Sequence, residues 1–422
     1  MLATLTGAFR VADIRKKLAF TAAMLLLYRV GAYIPAPGID IDRVEELADQ
    51  FSGSNVLGFL NLFSGGSLQR FAIFALGIMP YITASIILQL MTVVVPALEK
   101  LRKEGEVGQQ KITQYTRYLT VGLSFGQSIG YVFLFRTFAA GGSSVVDGFT
   151  FGTVFVIVCT LTAGSILLMW FGELITQRGI GNGISLMIFA SIVSGLPNGI
   201  QAWWTNPDQI FKVMMPFLAL AIIAAIVFMQ EGQRRIPVQY AKRVVGRRMS
   251  GGGSTYLPLR VNMAGVIPVI FAASLMAFPP TVGELSQAGW ARDFSAFFSP
   301  NGAPYLVGES VFIILFTYFY TAVTFNPVEQ ADNLKKYGGF IPGVRPGRPT
   351  AEYLDRILAR LTFPGALYLA AVAALPTILI NQTSANFFFG GTSILIVVGV
   401  ALDTMKQLEA QLMMRNYEGF LK

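Results

Sequence analysis

The sequence predicts an all-α polytopic membrane protein whose ten transmembrane helices form two inverted five-helix halves. Three observations carry this. Hydrophobic residues make up 54% of the 422 and charged residues 13%, about half the charge of a soluble globular domain. Apolar blocks long enough to cross a bilayer, which takes about 20 residues, fall at 18–35, 71–95, 115–137, 152–175, 184–200, 211–229, 263–280, 307–326, 361–380 and 392–411. They divide into two sets of five, and because five is odd the second set starts on the opposite face from the first, which is inverted-repeat topology.

Taken in order, the first block is preceded by Arg10, Arg15, Lys16 and Lys17 and followed by no small-residue cleavage site, so an uncleaved first span is predicted. With the N-terminus inside, the outer segments hold only Arg29, Arg43, Arg70, Arg136, Lys212 and Arg292 of the 32 basic residues, against ten of the 23 acids. The positive-inside rule then places both termini in the cytoplasm. The second block extends an apolar run from 55 to 91, too long for one span and broken by Ser64, Gly65, Gly66, Ser67, Gln69 and Arg70. The run therefore reads as two pieces, the second of which spans.

Span two carries Gly77, Pro80, Ile82 and Ala84, and span seven repeats that spacing with Gly265, Pro268, Ile270 and Ala272, a trace of the repeat. Gly122, Gly126 and Gly130 in span three make a doubled G-x-x-x-G, which predicts close helix packing there. Cys159, in mid-span four, reads as a small packing residue. The GIGNG run at 179–183 follows no strand and reads as a helix break between spans four and five.

The halves are expected at 1–205 and 206–422, with basic cytoplasmic loops at 230–262 and 327–360. The first loop carries Arg234, Arg235, Lys242, Arg243, Arg247, Arg248 and Arg260; the second carries Lys335, Lys336, Arg345 and Arg348, amid Gly and Pro that predict a shaped turn. Orientation needs fewer charges than this. Loops of such size and sign suit an anionic partner, RNA or an acidic protein face.

The chain has no histidine and one cysteine, which excludes imidazole chemistry and an intrachain disulfide, and it lacks a G-x-x-x-x-G-K-[ST] phosphate loop. No catalytic set, cofactor or metal site is predicted. Arg29, Glu173, Lys212 and Asp403 fall near span ends and read as snorkelling side chains. The missing midplane charge argues against the alternative function, a gradient-coupled inverted-repeat secondary transporter. Ile82 and Ile86, four apart in span two, share a helix face and suit an aliphatic constriction that gates by dewetting.

In the order YRVGAYIPAPGID, NLFSGGSLQRFAIFALGIMPYITASI, TQRGIGNGIS, LPLRVNMAGVIP, FNPVEQADNLKK, GFIPGVRPG and FGGTSILIVV, the chain resembles the SecY family of protein-conducting channels from Arg10 to about Tyr417. The resemblance implies a non-enzymatic channel around a central pore in the bacterial plasma membrane. Expected partners are SecE, SecG, the SecA ATPase, the ribosome, membrane lipid and polypeptides bearing signal sequences. It implies a pore ring of Ile82, Ile86, Ile184, Ile188, Ile270 and Ile396. It makes 55–69 a plug with Asn61 and Phe63, hinged at Gly65 and Gly66; a helix of about 12 residues is some 18 Å long, too short to span. A lateral gate is implied between spans two and three on one side and seven and eight on the other, with Gln89, Thr92, Gln127 and Asn262 along it. Lys242, Arg243, Arg247, Arg248, Lys335, Lys336 and Arg345 become the SecA and ribosome contacts.

Overall fold

We describe the fold from a computed structural model, which defines residues 9, 11–40, 44, 61, 63–138, 149–205, 209–240, 243–245, 248–250, 254–276, 289–299, 302–383 and 391–419. Its helices are α1 (Ala12–Gly31), α2 (Met79–Val94), α3 (Pro96–Lys103), α4 (Glu106–Phe138), α5 (Phe151–Arg178), α6 (Gly183–Thr205), α7 (Gln209–Glu231), α8 (Ile267–Met276), α9 (Gly289–Phe297), α10 (Ala303–Thr324), α11 (Pro327–Lys336), α12 (Arg348–Thr383) and α13 (Gly391–Gly419). Each predicted apolar block meets one of them. Five helical segments among the described residues are long and apolar enough to cross a membrane, and α2 with α3 would make a sixth but for a 97° bend between them. Pro96 at the first position of α3 sits at that bend. The chain is a multi-pass helical membrane protein.

Span two is shorter than its apolar block. Residues 71–78 form turns, with Phe71 at φ 45° and Gly77 at φ 58°. They are apolar because they are buried: Leu68, Phe71, Ala75 and Leu76 pack with Val132, Phe135, Ile157 and Leu161, and Phe71 meets Phe135 edge-on at 4.3 Å. Their backbone groups are paired with the exit of α1, since the Ile73 amide donates to the Ile34 carbonyl at 2.9 Å and the Ala36 amide to the Phe71 carbonyl at 3.0 Å. Pairing of this kind is what makes a buried turn tolerable.

The chain forms two compact units. The first comprises Met1–Thr205, Ala273–Leu306 and Val400–Lys422. Its spine is the antiparallel pair α4 and α5, tied at three levels. Arg117 grips Glu173 through two hydrogen bonds, Nη2 to Oε2 at 2.6 Å and Nε to Oε1 at 3.0 Å. Ser124 donates to Ser165 at 3.1 Å, and the Ser128 and Thr162 hydroxyls meet at 3.2 Å, where either can donate. This corrects two expectations. Glu173 is an ion-pair partner and not a snorkelling side chain. Gly122 and Gly126 do not make the expected close contact, since among the described residues a Cβ on either would meet nothing within 4 Å, and α4 meets α5 through Ser124 and Ser128 instead. α5 ends at the break Gly179–Asn182, as expected, where Ile180 packs with Ile14 of α1 and Leu408 of α13.

The second unit comprises Asn206–Ala272 and Val307–Gly399. The loop after α7 folds into a sheet ordered β4-β1-β5, from β1 (Gln233–Tyr240), β4 (Ser254–Arg260) and β5 (Gly339–Phe340). β1 and β4 pair antiparallel from Gln233↔Arg260 to Gln239↔Ser254, and β5 joins at Gln239↔Phe340. Strand β1 alternates, so Ile236 and Val238 point inward onto Leu259, Phe325, Ile341, Leu354 and Leu358 while the arginines face out. A small ladder, β2 (Arg243–Val245) with β3 (Arg248–Ser250), lies between. Asn326 caps α11 by accepting from the Val328 and Glu329 amides.

Candidate functional site

The isoleucines of the expected ring lie on α2, α6, α8 and α13. Ile82, Ile86, Ile188, Ile270 and Ile396 are buried, and Ile184 is half-buried. Local structure fixes the α6 pair. Asn182 Oδ1 accepts from the Ile184 amide at 3.1 Å, and the Gly183 amide donates to Thr176 Oγ1 at 2.9 Å. A Cβ on Gly183 would overlap the Gly172 carbonyl, so α6 starts pressed against α5. Ile184, the second residue of α6, lays its Cγ1 beside Gly172.

Most of the expected plug, 55–60 and Leu62, lies outside the described residues. Its root is described. Asn61 and Phe63 are helical, and the chain then turns through Gly65 at φ 65° and Gly66 at φ 83°, the left-handed region that favours glycine. Asn61 closes this turn on itself: its Oδ1 accepts from the Gln69 amide at 3.0 Å and its Nδ2 donates to Gln69 Oε1 at 3.0 Å. Ser64 Oγ accepts from the Leu68 amide at 3.1 Å.

Three residues that sequence reasoning missed hold this turn from outside. The Tyr28 hydroxyl reaches the Ser64 carbonyl at 3.1 Å and Ser191 Oγ at 2.6 Å. Arg29 Nη1 donates to the Gly65 carbonyl at 2.8 Å. Arg29 is thus a tether and not a snorkelling side chain. Its partner is a main-chain oxygen, which no side-chain pattern reveals; the only signal available was a charge placed next to a tyrosine at a span end.

Of the expected gate residues, Thr92 is buried and spends its hydroxyl on its own helix, donating to the Gln89 carbonyl at 2.7 Å. Gln89 Oε1 and Asn262 Oδ1 are buried without a hydrogen-bond partner among the described residues, although Asn262 Nδ2 donates to the Gly265 carbonyl at 3.0 Å. Gln127 is half-buried on α4.

Of the expected basic contacts, Lys242 and Arg247 lie outside the described residues, and Arg243 and Arg248 are placed by backbone alone, in β2 and β3. Lys335 and Lys336 end α11, both exposed. Arg345 is exposed on a turn pinned at both sides. Ile341 before it is buried in the sheet core and accepts from the Val344 amide at 3.0 Å; Thr350 after it is buried and donates to the Arg345 carbonyl at 2.8 Å. Gly343 and Gly347 supply positive φ values of 83° and 105°. Arg345 makes no ion pair among the described residues.

The described residues thus hold Ile82, Ile86 and Ile188 buried in the first unit and Ile270 and Ile396 buried in the second, a turn through Gly65 and Gly66, and a basic sheet-and-turn module. The family model described as SecY matches residues 72–405. The chain is 50% identical to the protein translocase subunit SecY of Streptomyces coelicolor and 48% identical to that of Mycobacterium tuberculosis, each over the whole of both chains. It belongs to the SecY family. Its fold is similar to a solved protein-conducting channel (TM-score 0.61, 18% identity, 93% of this chain and 91% of the other). It is also similar to Sec61 in the canine ribosome–channel complex from the endoplasmic reticulum (TM-score 0.57, 17% identity, 93% and 91%). A third likeness is to a SecY whose plug domain stabilises the closed state and maintains a membrane seal (TM-score 0.60, 20% identity, 93% and 91%). The family finding overturns the secondary-transporter alternative.

Proposed function

We propose that this chain is the central subunit of a bacterial translocon, passing unfolded secretory polypeptides across the plasma membrane and releasing apolar segments sideways into lipid. Full-length identity to translocase subunits carries the reading. Both termini are cytoplasmic, and the halves are 1–205 and 206–422. Ile82, Ile86, Ile184, Ile188, Ile270 and Ile396 form a ring that closes around an extended chain of any sequence, because aliphatic side chains exclude water without coordinating the substrate. The segment 55–69 plugs that ring. Gln89, Thr92, Gln127 and Asn262 border the lateral gate that a signal sequence opens. SecE and SecG complete the channel, and it catalyses no chemistry. Work comes from SecA or a translating ribosome on the loops 230–262 and 327–360, through Lys242, Arg243, Arg247, Arg248, Lys335, Lys336 and Arg345.

The direct test is cross-linking of a stalled precursor to cysteines introduced as Ile82→Cys and Ile270→Cys. It is done in a Cys159→Ala background, since the native thiol is exposed. Cross-links at both positions are expected, and a precursor that reaches neither would refute a path through the ring.

Dewetting needs apolar walls, so Ile270→Asn or Ile396→Asn is expected to raise ion conductance in planar bilayers and to admit precursors with defective signal sequences. Unchanged conductance in both would remove them from the ring. Deleting 57–67 is expected to give a flickering leak with translocation retained. Loss of expression instead would make that segment structural.

A further inference from the structure

The plug's root is tied to the helix that carries half of the expected ring in this unit, and we propose that the Tyr28 hydroxyl is a release bolt between them. The inference rests on reading 55–69 as a plug. Tyr28 belongs to α1, Ser64 to the turn at the plug's root, and Ser191 to α6, less than one turn beyond Ile188. All three are at most 3% exposed. The packing leaves no slack: a Cβ on Gly65 would stand 2.7 Å from Tyr28 Oη and 3.3 Å from Ser191 Cα.

Counting protons gives the direction of the chain. Each hydroxyl has one, and the three oxygens are linked only if Ser191 donates to Tyr28 Oη and Tyr28 donates to the Ser64 carbonyl. Ser191 has a second acceptor, the Met187 carbonyl in its own helix at 2.9 Å, a common alternative for a helical serine. Turning the Ser191 proton back to Met187 cuts α6 from the plug root and leaves no donor unpaired. The link is 2.6 Å long, so moving α6 outward by about 1 Å takes it past hydrogen-bond reach.

The neighbouring tether behaves differently. Arg29 donates to the Gly65 carbonyl from the same helix as Tyr28, and its neighbour Tyr33 has the guanidinium of Arg70 4.1 Å from its ring centroid. Those contacts bind the root to α1 through Arg29 and to the segment just after α1 through Tyr33, and neither involves α6. Tyr28 is therefore a positioning residue through which widening at Ile184 and Ile188 is felt at the plug.

The test measures single-channel leak in bilayers for the assembled complex carrying Tyr28→Phe, Ser191→Ala, both, or either in a 57–67 deletion background, with melting temperature as the folding control. Ser191→Ala is expected to raise the open fraction about two- to tenfold, the worth of one net hydrogen bond, and Tyr28→Phe, which loses its bonds to both Ser64 and Ser191, at least as much, each with a melting temperature within about 4 °C of the parent. The double variant is expected to leak no more than the leakier single, because both remove one link. In the deletion background neither is expected to add anything, which a merely structural role would not predict. A deletion channel that leaks while Tyr28→Phe stays sealed overturns the bolt alone, as do additive single effects. A deletion channel that stays sealed overturns the plug reading itself, and the bolt with it.

Discussion

Arg345→Lys is expected to lower SecA-driven translocation and its coupled ATP hydrolysis about tenfold or more in reconstituted vesicles, and Arg345→Glu to lower both further, with insertion of the channel unchanged. The backbone of the turn that carries Arg345 is fixed on both sides. Ile341 and Thr350 bury its ends, Thr350 bonds the Arg345 carbonyl, and Gly343 and Gly347 take the left-handed positions. A positioned guanidinium presents a planar fork that pairs with a carboxylate or phosphate through two bonds, and lysine offers only a point charge. One charge-assisted hydrogen bond is worth about 1.5–3 kcal/mol, at least tenfold in rate if it is made only in the driven state. A loop that supplied bulk positive charge would accept the lysine, so full activity in Arg345→Lys would sink the positioned-fork reading.

Gly164→Val is expected to destabilise the protein by about 3 kcal/mol or more, the upper range for forcing volume into a packed core. A Cβ at Gly164 in α5 would overlap the Ile73 carbonyl, an obstacle of backbone that cannot swing aside. That carbonyl belongs to the buried turns before α2. Gly122→Ala and Gly126→Ala in α4 make the control, since a Cβ there meets nothing within 4 Å. They should be neutral or slightly stabilising, as alanine favours helix over glycine by up to about 1 kcal/mol. Melting temperatures in detergent check both, and a large loss in the α4 pair would restore the tight-packing role to its G-x-x-x-G pattern.

Hydropathy made the spans legible because a bilayer demands length and apolarity together. It failed where burial in protein imitates burial in lipid. Residues 71–78 are as apolar as a helix, and only φ values at Phe71 and Gly77 reveal turns. The loop after α7 was legible as charge but not as sheet, although Ile236 and Val238 alternate with outward residues along β1; seven arginines and lysines nearby concealed a two-residue period. The pattern at Gly122 and Gly126 says that a helix has a smooth face without saying which neighbour uses it. The tethers at Tyr28 and Arg29 were illegible, because a main-chain carbonyl is identical in every residue. The candidate ring was legible only through resemblance, since isoleucines in a membrane helix are common.

The three ties between α4 and α5 bear on how this unit can move. They step along the pair in strict antiparallel order, 117 with 173, 124 with 165 and 128 with 162, over about 16 Å of helix. In lipid no hydrophobic force holds two helices together, and each polar cross-link contributes only about 0.6 kcal/mol. Their spacing matters more than their strength. A slide of one residue, about 1.5 Å, would carry both hydroxyl pairs past hydrogen-bond reach and strain the Arg117–Glu173 pair, so the two helices resist shear the way a notched key resists being pushed past its pins. The pair is thus expected to shift as a single strut, and the nearest departures from regular helix on either side of it are the bend between α2 and α3 and the glycine corner at 179–182.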